Sequence, residues 1–287
     1  MISKKELQEK IISCASELRS ENPMSPSVTN AVTINFVANA QLAVGGSAAM
    51  CYLSDELITL GSLTDSIYVN LGTMLPLHAD SIPETVKYYY GHGKKWTLDP
   101  VGIGSGKVRG SILQKVKAYP PSIVRGNASE ILALCHLWGI LDEEGDGRTR
   151  GVDATEPVDS AKDAAVRLAR FTRGAVSVSG EKDLITDGQA VIYSYGGSKF
   201  MPMVTGMGCS LGGVAAAYAC TGDPLTAAVC AANVYNLAGK RAEAESRGPG
   251  SFYVHFIDQL YLASPKDIAE NPFDLVSADE GKADGKE

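Results

Sequence analysis

The sequence predicts an α/β fold, a mostly parallel central sheet flanked by helices on both faces. Short apolar runs rich in Val and Ile recur along the chain and alternate with longer segments of helical periodicity. Polar or glycine-rich stretches follow the runs, and in open parallel sheets ligands collect at those carboxyl ends. With 287 residues, 45% of them hydrophobic, the chain can bury a substantial core.

The N-terminal stretch MISKKELQEKIISCASELRSENP spaces charges through its apolar residues, which predicts an amphipathic surface helix and not a signal peptide. Strands are predicted at Ser66–Leu71, Trp96–Leu98, Ser122–Val124, Ala175–Val178 and Ala190–Tyr193. They are followed in turn by GTM, DPVGIGSG, RGNASE and SGEKD for the first four, while VTGMGCSLGG opens a long apolar helical stretch. That stretch, Cys209 to Leu237, is broken by Thr221-Gly222-Asp223-Pro224, so neither half reaches the ~20 residues that span a bilayer. Residues 1–276 read as one domain. Residues 277–287 lack any large apolar side chain and read as a disordered acidic tail.

A formal net charge of -7 gives no basic stripe for phosphate backbones or anionic lipid, so neither nucleic acid nor a membrane surface is an expected partner. Six cysteines without a CxxC pair point to reduced thiols and a cytoplasmic location. Each also suits the role of a small buried hydrophobe. The four histidines show no metal-ligand spacing and read as surface or half-buried side chains, and no Ser-His-Asp order is readable.

The strongest local signal is Thr205-Gly206-Met207-Gly208-Cys209 before an apolar helix. Glycines at 206 and 208 admit a close ligand, and the N–H groups of Gly206, Met207, Gly208 and Cys209 at a helix start would cradle an anion. The helix dipole there is expected to lower the Cys209 thiol pKa. The same residues also suit an ordinary turn before a buried helix. In Arg125-Gly126-Asn127-Ala128-Ser129-Glu130, Glu130 suits a Mg²⁺ site that rests on one or two carboxylates and substrate phosphates. Asn127 and Glu130 equally form a capping box, and Arg125 offers either a phosphate fork or a surface ion pair. Asp99, fixed by Pro100 and followed by Gly102 and Gly104, is placed to act on metal-bound water or a substrate hydroxyl, although Asp-Pro is also a common turn signal.

These motifs in this order, with TNAVTINFVANAQLAVGGSAAM, VNLGTM, GVDA, VSVSGEKDLITDG and GPGSFYVHFIDQLY, resemble hydroxyethylthiazole kinase over about Asn22 to Leu262. The TGxGC element is shared with the hydroxymethylpyrimidine kinases; RGNASEI with DPVG, and TNAVTINFVANAQLAVGGSAAM, point specifically to the thiazole enzyme. The resemblance implies a ribokinase-like fold and the phosphorylation of 4-methyl-5-(2-hydroxyethyl)thiazole, with ATP as co-substrate and Mg²⁺ as metal, in thiamin biosynthesis or salvage. It implies that Met50 and Gly206 contact the thiazole, that Arg125 and Ser179 contact ATP, and that Asp99 and Glu130 serve the metal. Cys209 would stand where many sugar kinases of the superfamily have a catalytic Asp. The resemblance further implies a homotrimer with active sites between subunits. Pro26, Met207 and Ser179 depart from the family's usual residues. Two rival expectations stand beside this one: a same-fold kinase of another hydroxyalkyl heterocycle, and a silent ligand-binding homologue.

Overall fold

The computed structural model describes residues 2–141 and 158–279. The elements in chain order are α1 (Lys4–Glu21), β1 (Met24–Val28), α2 (Ile34–Ala43), β2 (Ser47–Met50), α3 (Ser54–Gly61), β3 (Ser66–Asn70), α4 (His78–Gly91) and β4 (Lys95–Asp99). Then come α5 (Lys107–Val116), β5 (Ile123–Asn127), α6 (Ala128–Leu137), α7 (Lys162–Thr172), β6 (Ala175–Ser179), β7 (Asp183–Thr186) and β8 (Ala190–Ser194). The last are α8 (Met207–Ala219), α9 (Pro224–Glu245), α10 (Pro249–Leu262), α11 (Pro265–Glu270) and β9 (Phe273–Ser277). The strands form one sheet in the order β2-β1-β3-β4-β5-β6-β7-β8-β9. Pairing is parallel from β2 through β6 and antiparallel from β6 to β9.

Side chains along a strand alternate between the sheet's faces, and two core clusters follow. Ile123, Ala175, Ile185 and Ile192 pack with α1, α8, α9 and α10, while Val124, Val176, Leu184 and Val191 pack with α4 to α7 on the other face. The first helix is closed by a Ser3–Glu6 capping box and buries Leu7, Ile11, Cys14, Ala15 and Leu18, one apolar stripe at helical spacing. The long apolar stretch is two helices, α8 and α9, separated by the turn that its Gly-Asp-Pro sequence predicts; Asp223 caps α9 by accepting from the Thr226 N–H. Among the described residues no helix is long and apolar enough to cross a membrane.

Several expectations need correction. Four strands, β1, β2, β7 and β9, are additional to those the sequence predicts. Two of them are poor in Val and Ile, MSPSV carrying a proline and SAAM small residues at the sheet edge, so their sequences lack the apolar run that marks the others. Arg125, Gly126 and Asn127 lie in β5 and not in a loop after it. Ser277 pairs with Ala190 in β9, Ala278 is buried and Asp279 bonds Arg170, so order extends past residue 276; residues 280–287 lie outside the described residues. The GVDA motif at 151–154 also lies outside them. His78 is buried, not superficial, because its ring completes the turn into α4: Nδ1 accepts the Leu75 N–H at 3.0 Å.

Candidate active site

Parallel register aligns the polar carboxyl ends of neighbouring strands. Asn70 of β3 pairs with Asp99 of β4, and Asn127 of β5 with Ser179 of β6. A hydrogen-bond chain runs along this edge. Arg125 donates from Nη2 and Nε to Ser179 Oγ at 3.0 and 3.3 Å, and from Nη1 to Asp99 Oδ2 at 3.3 Å. Tyr68 Oη donates to the same Asp99 oxygen at 2.9 Å and accepts from Asn70 Nδ2 at 2.9 Å. Asn70 Oδ1 accepts from Asn30 Nδ2 at 3.1 Å, and Asn30 Nδ2 lies 3.5 Å from Cys209 Sγ. The chain thus begins at β6 and returns to the N-terminus of α8.

Gly206 is the N-cap of α8, with φ +92 in the region that favours glycine. The first intrahelical bond is Ser210 N to Gly206 O at 2.8 Å, which leaves the N–H groups of Met207, Gly208 and Cys209 without helical acceptors. A Cβ at Gly208 would lie 2.5 Å from Arg125 Nη1, so only glycine lets the guanidinium lie against the helix start. Backbone donors, the positive helix end and a guanidinium therefore meet at one point, and an anion is the ligand they suit. Met50, at the end of β2, packs with Cys209 on the small cluster of Val37, Tyr68 and Ala216.

Burial dominates the electrostatics. It pushes the Asp99 carboxyl up to about 6 against the pull of Arg125 and Tyr68, since a charged carboxylate loses its hydration here. Burial also works against charge on Arg125, but Asp99 and Glu130 outweigh it and hold the guanidinium firmly protonated. The expectation of a lowered Cys209 pKa is overturned: burial and the Asp99 charge push the thiol up, outweighing Arg125. Glu130 does close the capping box of α6, its Oε2 accepting the Asn127 N–H at 2.9 Å while Asn127 Oδ1 accepts the Glu130 N–H at 2.8 Å. Its charge still acts on Asp99 and Arg125.

A cleft of 620 Å³ lined by Arg170, Arg173, Asp187 and Asp223 opens at the opposite edge of the sheet, where no member of this network reaches. The strand carboxyl ends hold the buried charges and the amide cradle, and they are the candidate site. A family model described as the hydroxyethylthiazole kinase family matches residues 15–265. The chain belongs to the hydroxyethylthiazole kinase family. A hydroxyethylthiazole kinase of Bifidobacterium longum is 44% identical over 283 residues, covering 92% of this chain and 90% of that protein. One from Brachyspira hyodysenteriae is 38% identical, covering 92% and 97%. Among solved structures, the hydroxyethylthiazole kinase protein of Pyrococcus horikoshii superposes with a TM-score of 0.83 at 28% identity, over 93% of this chain and 99% of that one. A Staphylococcus aureus pyridoxal kinase with AMP-PCP, at 16% identity and a TM-score of 0.53 over 76% and 88% of the two chains, shares the fold.

In this member of the family the fold brings Asp99, Arg125, Ser179, Glu130, Cys209, Gly206 and Met50 to one edge. Asn30, Tyr68 and Asn70 join the network without being marked as site residues by the motifs. Asn30 and Asn70 sit within quoted motifs, and a polar residue closing an apolar strand is the signal that marks Asn70. For Tyr68 no sequence signal exists, because a tyrosine inside an apolar run reads as core.

Proposed function

We propose that this chain transfers the γ-phosphoryl group of ATP to the primary alcohol of 4-methyl-5-(2-hydroxyethyl)thiazole. The observation that carries the reading is the state of Asp99. Two donors lock its Oδ2, while the buried Oδ1 has no partner among the described residues. A buried carboxylate oxygen without a donor is costly, so it calls for a ligand that supplies positive charge or a proton. Mg²⁺ fits that demand: Asp99 and Glu130 would hold it with the phosphates filling further positions, and when bound it supplies positive charge to the phosphates. Among the described residues no group of three or more His, Cys, Asp or Glu forms a cation cage.

Phosphoryl transfer asks a protein mainly for positioning and for positive potential where charge spreads. The N–H groups of Met207, Gly208 and Cys209 would bind the equatorial oxygens of the moving group. Arg125, oriented by Ser179, would hold the nucleotide's phosphates. Met50 and Gly206 would line the thiazole side. Cys209, with its thiol pushed up, would pack beside the substrate and serve chiefly through its backbone N–H. We further infer a homotrimer acting in the cytoplasm. Exposed Val32 and Met203, near the Gly206 turn, and Val254 on the adjoining α10 support the assembly, and six free cysteines suit a reducing compartment.

A coupled kinase assay with ATP and Mg²⁺ over thiazole, pyrimidine and pyridoxal alcohols tests the substrate. The expected result is a clear preference for the thiazole alcohol. Better use of a pyrimidine or pyridoxal alcohol, or no phosphorylation of any, overturns it.

A further inference from the structure

We propose that Arg109 is a positioning residue for phosphoryl transfer, fixing the Leu71–Gly72 backbone that shapes the acceptor side of the site. The proposal rests on the reading of the strand-end network as the reaction site. Arg109 lies in the first turn of α5 and touches none of the proposed catalytic side chains. Its guanidinium instead grips main chain. Nε donates to Leu71 O at 2.7 Å, Nη1 to Ser105 O at 2.8 Å, and Nη2 to Gly72 O. Among the described residues no carboxylate pairs with it, so its full charge is spent on carbonyls of two loops that follow β3 and β4.

The far side of the same backbone faces the site. The Leu71 N–H donates to Asp99 O at 3.0 Å, and the Gly72 N–H donates to Asn70 Oδ1 at 2.9 Å. A Cβ at Gly72 would lie 2.6 Å from Asn30 Nδ2, so the backbone there lies directly against Asn30. Asn30 in turn reaches Asn70 and Cys209. Leu71 and Gly72 are therefore held between Arg109, through their carbonyls, and the reaction site, through their N–H groups. Displacing them moves Asn30, Asn70 and the Asp99 main chain together. A flat guanidinium sets its donors on three separate nitrogens in a fixed plane, a spread that matches carbonyls in two different loops, whereas an ammonium gathers its three donors on one nitrogen and cannot span them.

Arg109→Ala and Arg109→Lys, assayed with the thiazole alcohol, are expected to lose turnover alike, on the order of 10²-fold, the cost of a small displacement of reacting groups. KM for ATP should stay within about twofold, because Arg125 keeps its two hydrogen bonds to Ser179, which lies on β6 away from the Leu71–Gly72 backbone. Added guanidinium ion should recover part of the turnover of Arg109→Ala, and in an Asn70→Ala background the loss of Arg109 should cost little more. Full turnover in Arg109→Lys overturns the proposal, and so does an Arg109→Ala loss that is additive with Asn70→Ala. Amide hydrogen exchange gives a readout independent of substrate: Arg109→Ala should speed exchange at Leu71 and Gly72. Unchanged exchange there overturns the proposal even if the parent prefers another alcohol, whereas inactivity of the parent alone counts only against the proposed function.

Discussion

At Glu130 the capping of α6 and the charge beside Asp99 can be separated by one substitution. Glutamine keeps an oxygen for the Asn127 N–H and so keeps the capping box, but it carries no charge. Glu130→Gln should therefore lower turnover on the order of 10²-fold with its melting temperature unchanged, as steady-state kinetics and calorimetry would show. Glu130→Ala should also lose about 1 kcal/mol of stability, the usual cost of a lost cap. A fully active glutamine variant would leave Glu130 as a cap alone. Cys209 is the second residue at which two roles part. Burial and Asp99 push its thiol up, so at neutral pH it stays protonated and is a poor base. Cys209→Ser should stay within about tenfold of the parent in turnover, less than a lost general base costs. Alkylation by iodoacetamide should be slow at neutral pH and rise only in alkaline solution. Fast alkylation at pH 7, blocked by the thiazole alcohol, would restore the thiolate as base.

The hairpin β7–β8 is tied to α9 by a buried polar cluster built around Asp183. Its Oδ1 accepts the Gly180 N–H at 3.2 Å, and its Oδ2 accepts from Asn236 Nδ2, which also reaches Ser194 Oγ. Burial pushes the Asp183 carboxyl up to about 6, from 3.8, despite those donors. A raised folded pKa means that the native state binds the proton more tightly than the unfolded chain. Its contribution is full below 3.8 and is lost as pH climbs through 6, by up to about 3 kcal/mol. Asp99, pushed up to about 6 in the same way, adds a decline in the same window, so chemical denaturation from pH 4 to 7 should show both, and Asp183→Asn should remove only the Asp183 share; an unchanged slope in the variant would assign the decline elsewhere. Elements of this kind also mark where sequence reading stops. The strands β3, β4, β5, β6 and β8 announce themselves as Val- and Ile-rich runs, and the glycines, Asp99, Arg125 and Glu130 stand in motifs at their ends. The hairpin partner β7 and the closing strand β9 depend on antiparallel pairing that no local run encodes. Tyr68 looks like core until register sets its hydroxyl on Asp99, and Arg109 looks like a surface cation until its loop neighbours are known. The lowered thiol pKa expected for Cys209 failed for the same reason, since a helix end can be read locally but burial against β3 and β4 cannot.

At the scale of the whole molecule, the apolar surface beside the site bears on whether one chain completes it. Val32, Met203 and Val254 are more than half exposed, on segments joined around the Gly206 turn: a Cβ at Gly206 would meet Thr33 and Phe36, and the Phe36 ring stacks edge-on against Tyr253 at 4.9 Å. Apolar side chains left in water beside a small-molecule site are what a neighbouring subunit would cover. Each chain carries a formal charge of -7, so association also works against mutual repulsion, which salt screens. On the proposed trimeric assembly the chain should sediment as a trimer, more tightly at high salt than at low. Val254→Glu places a charge on a surface already open to solvent in the single chain, so it should leave the fold and its melting transition largely intact while shifting the population toward monomer. If sites are shared between subunits, turnover must fall in step with the trimer fraction as the protein is diluted, and it must fall in Val254→Glu under the same conditions. A monomeric variant with the parent's turnover at nanomolar concentration would show instead that Asp99, Arg125 and the α8 cradle of one chain are enough.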